Sequence, residues 1–165
     1  MAMTIKTDGL TELSEMLTRM GNKAEDVASG ALYDGAGIVA DAFTQAVNRI
    51  QAEKQRKKVK PPGKTPKRLA TPEEKAALQG KIGVARFRKN GSEVDTMIGI
   101  TGKAGYAIVN GKPKAIRLIA RSINSGTSFM KKQPVFRQAK SKAQGPAKAA
   151  IVAKAEEMLN EIING

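Results

Sequence analysis

The chain contains no cysteine and no histidine. Without cysteine there is no disulfide, no thiolate nucleophile and no sulfur ligand for a metal, and without histidine the commonest general base and zinc ligand is missing. Tryptophan is also absent and aromatic residues make up only 4%, which leaves few rings on which nucleic-acid bases could stack. No stretch approaches the ~18 to 20 consecutive apolar residues of a membrane span. The opening MAMTIKTDG lacks the basic-then-apolar order of a signal peptide. The expectation is a soluble intracellular protein with no membrane contact. Its 165 residues suit a single domain, 1–165, since one core is usually built from ~100 to 200 residues. Much of enzyme chemistry is excluded, and no cofactor or metal is expected.

What is abundant is positive charge: 29 Lys and Arg against 15 Asp and Glu, a net +14. Its distribution matters more than its sum. Lys54, Arg56, Lys57, Lys58, Lys60, Lys64, Lys67 and Arg68 fall in one stretch with no acid, and the segment from Thr96 to Ala155 holds twelve more bases and again no acid. The remainder is net acidic, at −6. Such segregation attracts polyanions or an acidic protein face, with a strength that falls as salt rises.

Periodicity predicts an α+β fold: a long N-terminal helix pair and a C-terminal helix packed on a small antiparallel sheet. Leu10, Leu13, Leu17 and Met20 recur at helical spacing, with Gly21 as a stop. A longer helix, from Lys23 to about Ile50, follows. Its face is small at Ala28, Ala31, Gly35, Ala42 and Ala46, so another helix or a sheet can approach closely. Pro61, Pro62, Gly63 and Pro66 then predict a basic, flexible loop at about 52–70. Thr71, Pro72 and Glu74 have the form of a capping box. Asn90-Gly91 signals a hairpin between strands near 81–88 and 93–101, with a third strand at Tyr106 to Asn110 completing the sheet. KAIRLIARSIN reads as a helix, with a strand as the alternative. Pro134 opens a further helix, and Gly145-Pro146 is expected to interrupt or kink it before the last one.

Candidate chemistry is sparse. PPGKTP carries the Gly-Lys-Thr that ends a phosphate loop, but the glycine required five positions earlier is Lys58. Ser128 to Lys131 matches Ser-x-x-Lys without the companion motifs of serine acyl-enzymes. Asp34 and Asp41, seven apart, share a helix face but read as a solvated side. The basic segments can meet phosphate or an acidic protein surface, and both readings stand. Helix-turn-helix, RNA-recognition and zinc-finger signatures are missing.

Taken in order, the elements resemble the neck, or tail-completion, proteins of long-tailed bacteriophages, a head-tail joining family often described simply as phage tail components. Its members begin with a GL-x-EL helix and a long Ala-rich helix, matched here by DGLTELSEMLTRMG and AEDVASGALYDGAGIVADAFTQAV. The family's AP-x-x-TG-x-L loop is approximated by PPGKTPKRL. Its Gly-Thr and Pro-Phe motif is followed at Gly126, Thr127, Pro134, Phe136 and Arg137, with Phe129 between. Asn124 or Ser125 replaces the usual acid before Gly-Thr, and Gln138 stands where proline is common.

The resemblance implies a non-enzymatic structural protein of the virion, assembled in the host cytoplasm. Subunits form a ring where the head connector meets the tail, with connector, tail-terminator or tail-tube proteins as neighbours and DNA passing through. Gly126, Thr127, Phe129, Pro134, Phe136 and Arg137 are then candidate interface residues, and the Lys54 to Arg68 loop is the contact for an acidic partner or DNA. The alternative is a small basic nucleic-acid-binding or DNA-packaging accessory protein, and a third reading is an enzyme working through Ser or Asp alone.

Overall fold

A computed structural model describes residues 8–54, 67–86, 88–90, 93–100 and 105–164. It has the predicted α+β character, and its longest elements are two helices, α1 (Asp8–Asn48) and α4 (Val135–Asn164). Between them lie a short α2 (Pro72–Ala76), strands β1 (Ile82–Val84), β2 (Arg88–Asn90), β3 (Glu93–Asp95), β4 (Ile98–Ile100), β5 (Tyr106–Val109) and β6 (Lys112–Ala115), and α3 (Ile116–Ser125).

The expected N-terminal helix pair is one continuous helix. Gly21 has open space around it, and a glycine inside a helix costs only about 1 kcal/mol relative to alanine, too little to break a helix with favourable turns on both sides. With 41 residues α1 spans about 60 Å. The expected break at Gly145-Pro146 is likewise absent, and α4 runs through Pro146. Gly145 has no Cβ to collide with the proline ring, while Ala143 and Ala147 on either side are buried, so packing holds the helix through the missing hydrogen bond.

The small face of α1 receives a helix. Gly30 lies against Met158, Gly35 against Ile151 and the carbonyl of Ala147, and the Phe43 and Phe136 rings meet edge to face at 5.8 Å. As α1 ascends its partners on α4 descend, so the two are antiparallel. A Cβ on Gly35 would stand 2.6 Å from Ile151 Cδ1 and 3.1 Å from the Ala147 carbonyl oxygen. The four-residue ridge Ala139, Ala143 and Ala147 is buried on the α4 side, as expected when rows spaced by four interlock.

The sheet is smaller and more divided than predicted. β1 pairs with β4 and β2 with β3, as two separate antiparallel ladders of two strands each. The strand at Tyr106 joins neither ladder. It turns at Asn110 (φ 53) and Gly111 (φ 72) and pairs with β6 instead. Two successive positive φ values make the tight hairpin turn whose twist matches the strands.

The apolar core gathers where the end of α1, α2, the β5–β6 hairpin and α3 meet. Ile50, Leu78, Val109, Ile116, Ile123 and Met130 are almost fully buried there. Each such side chain contributes about 1.5 to 3 kcal/mol relative to an exposed one. The helical reading of KAIRLIARSIN holds, with Ile116, Ile119, Ala120 and Ile123 facing this core. Among the described residues no helix is long and apolar enough to cross a membrane.

Candidate functional site

Three extended segments come together beside the core. Residue 70 bridges in parallel to residue 52, and residue 68 to residue 130. Glu53 N–H donates to the Ala70 carbonyl at 2.8 Å, Arg68 N–H to the Phe129 carbonyl at 2.9 Å, and Lys131 N–H to the Arg68 carbonyl at 2.7 Å. The two ends of the basic loop are therefore tied side by side, and its return arm is tied to the segment after α3. Residues 55–66, with Arg56, Lys57, Lys58, Lys60 and Lys64, lie outside the described residues. Lys54 and Lys67 are exposed on the two arms.

At the centre is Glu74. The capping box read from Thr71 and Glu74 is present: Glu74 N–H donates to Thr71 Oγ1 at 3.1 Å and Thr71 N–H to Glu74 Oε2 at 3.0 Å. The same carboxylate also accepts a two-pronged bond from the Arg68 guanidinium, at 2.7 and 2.8 Å, and a contact from Lys114 Nζ at 3.3 Å. Its side chain is only 2% exposed. Burial alone would raise the carboxyl's pKa, but Arg68, the Thr71 amide and Lys114 outweigh it and lower the value from 4.5 to about 2. Glu74 is thus a fixed anion that joins the loop's return arm, α2 and β6.

Neighbouring polar ties extend the joint. Gln133 closes a two-point clamp on the backbone of Gln51, accepting from its N–H at 2.8 Å and donating to its carbonyl at 2.9 Å. Lys75 Nζ donates to the carbonyls of Asn48 and Ile50 at 2.7 and 3.0 Å, a cation at a helix C-terminus where the dipole favours it. Glu73 accepts from Asn110 N–H at 2.8 Å and so ties α2 to the β5–β6 turn.

Gly126, Thr127 and Pro134 serve this joint. Gly126 ends α3 at φ 74, and a Cβ there would stand 3.0 to 3.1 Å from Lys132, so the site requires glycine in both conformation and space. Thr127 Oγ1 accepts from Met130 N–H at 3.0 Å. Pro134 directly precedes α4, and its carbonyl accepts from Gln138. Phe136 packs inward on Phe43 and lines a cleft of about 270 Å³ with Ile82, Ile100 and Arg117. Arg137 is exposed on the first turn of α4.

Phe129 is different: it is 56% exposed, with the Arg68 guanidinium 5.7 Å from its ring centre. It forms one wall of a cleft of about 370 Å³ whose floor is Arg68, Glu74 and Met130 and whose other walls include Tyr106, Lys114 and Leu118. Tyr106 is 75% and Leu118 61% exposed. Large apolar side chains standing open around a rigid polar floor have the form of a contact surface. The sequence signals Phe129 in this surface but not Tyr106 or Leu118, which stand on elements placed there only by the fold.

The other candidates lie apart from this cleft. Asp34 and Asp41 are exposed on α1. Asp34 contributes, after the Glu157 hydrogen bond, to raising the pKa of Lys154 on α4. Ser128 and Lys131 are exposed on the strap between α3 and α4, and Gly63, Lys64 and Thr65 are outside the described residues. No protein family, curated protein or solved structure matches the chain.

Proposed function

We propose that the chain is a structural protein of a tailed-phage virion, a subunit of a ring that joins the head connector to the tail. The observation that carries this reading is the joint itself. The Gly-Thr and Pro-Phe stretch and the return arm of the basic loop, two of the segments that carry the family resemblance, are bonded to one another through Arg68, Phe129 and Lys131. Beside them opens an apolar cleft with no polar group left over on its floor, since Glu74 and Arg68 satisfy each other. A prearranged surface of this kind suits docking, because little ordering remains to be done on binding.

One observation favours a second reading: residues 105–150 carry ten basic side chains and no acid, which suits a nucleic-acid-binding or packaging accessory protein. The two separate by experiment. Mixed with purified head-connector and tail-tube assemblies, the chain should comigrate with at least one of them and add a ring of density in negative stain. Failure to bind either, together with sub-micromolar binding to duplex DNA at physiological salt and a steep salt dependence, would replace the joining role with the second reading.

A further inference from the structure

Charge is segregated along the helix pair as well as along the sequence. The antiparallel packing of Gly30 on Met158 and Gly35 on Ile151 brings residues 8–34 of α1 and 152–164 of α4 to the same end. The α1 portion has six acids (Asp8, Glu12, Glu15, Glu25, Asp26, Asp34) and two bases, and the α4 portion has Glu156, Glu157 and Glu161 against Lys154. The opposite end holds the ten bases of residues 105–150. Of the acids outside the first two segments, Glu73 and Glu74 are already engaged, by Asn110 and by Arg68 and Lys114, and Asp41, Glu53, Glu93 and Asp95 leave the balance positive. One end of the molecule complements the other.

The two ends also match in shape and polarity. Val152, Glu156, Leu159 and Ile163 are spaced by four, three and four residues and so share one face of α4. Val152 is 56% and Ile163 43% exposed, and Glu156 is exposed between them. At the other end the cleft offers Tyr106, Leu118 and Phe129 as apolar walls, with Lys114 in the wall and Arg121 and Lys131 adjoining. An amphipathic helix laid in an apolar groove is a recurrent mode of recognition.

We propose that the final turns of α4 of one copy seat in the Tyr106, Leu118 and Phe129 cleft of the next copy, with Val152, Leu159 and Ile163 on the apolar walls and Glu156 toward Arg121 and Lys131. The contact is head to tail, which generates rings or filaments and not a closed pair. It names the interface for the self-assembly part of the proposed function and rests on that part alone.

Two variants at exposed positions test it in the full chain: Leu118→Glu in the cleft, and Val152→Lys with Glu156→Lys on α4. By sedimentation velocity the unaltered chain should form multiples of 17.6 kDa that dissociate between about 0.1 and 1 M salt, as the screening length shrinks from about 10 to 3 Å. Each variant should weaken association by about tenfold or more with unchanged thermal melting. Mixed one to one, they should form dimers and nothing larger, because each retains the half the other lacks. Variants that assemble like the parent, or a mixture that stays monomeric, would overturn the interface. A chain that binds connector or tail proteins yet remains monomeric alone overturns the interface and spares the joining role, whereas one that self-assembles through these residues but binds neither does the reverse.

Discussion

The two ends of this molecule are held together by different physics. Around α2 and α3 a compact knot combines an apolar core with polar ties that span the chain: Arg68 to Glu74, Lys114 to Glu74, and Gln133 to Gln51 across 82 residues. Along the α1–α4 pair the contact is mostly one of shape, with alanines and glycine letting two backbones approach. The knot fixes the geometry of the cleft, and the helix pair carries charge of the opposite sign away from it. A molecule built this way resists distortion around the cleft and holds its acidic end at a distance from it.

Removing the anion from the knot should have the largest effect. Glu74→Ala strands Arg68 and the Thr71 amide, and breaking one side of a buried ion pair costs about 3 kcal/mol or more. In a chain of 165 residues this is a fall of roughly 6 to 12 °C in melting temperature. The pH dependence has a definite sign. Because the folded carboxyl titrates near 2 instead of 4.5, its contribution is complete above about pH 4.5 and is lost as pH falls toward 2. Glu74→Gln should flatten that acid limb, and a pH series of denaturant melts that leaves its slope unchanged would contradict the assignment.

Next in size is Gln133→Ala, which leaves the N–H and carbonyl of Gln51 without their clamp and should cost about 2 kcal/mol. Hydrogen exchange should locate the loss in the knot, at residues 50–53, while the helix pair keeps its protection. Equal loosening of both regions would break the contrast drawn between them.

The helix pair supplies a sharper, smaller test. Gly35→Ala forces Ile151 and the Ala147 carbonyl aside and should destabilise by about 1 to 3 kcal/mol. Gly37→Ala, two residues on with nothing within 4 Å, should stabilise by about 0.5 to 1 kcal/mol. Denaturant titration reads both, and two shifts of the same sign would show that close approach is not what holds α1 to α4.

Much of the local structure was legible in the sequence because its causes are local. The Thr71 and Glu74 capping box, the Asn90-Gly91 hairpin and the apolar stripe of α3 are all set by spacings of a few residues. The continuity of α1 through Gly21 and of α4 through Gly145-Pro146 was not legible, since packing from elsewhere decides whether a weak point breaks. The β5–β6 hairpin repeats the Asn-Gly signal at Asn110-Gly111, but Pro113 argues against a strand unless it lies at an edge. For the site, Gly126, Phe129 and Pro134 stand out in the sequence. The anion at its floor does not, because Arg68, Glu74 and Lys114 meet only through the tertiary fold, and Glu74 already has a sufficient local role as a cap.

Hydrogen exchange compared between dilute and concentrated protein tests the central claim most directly, since it reports both whether copies associate and through which surface. Added protection on association should appear at residues 105–118, 128–131 and 152–163, and at neither α2 nor the middle of α1. Protection confined to other surfaces, or identical exchange at every concentration and salt, would contradict an assembly protein that joins its copies end to end.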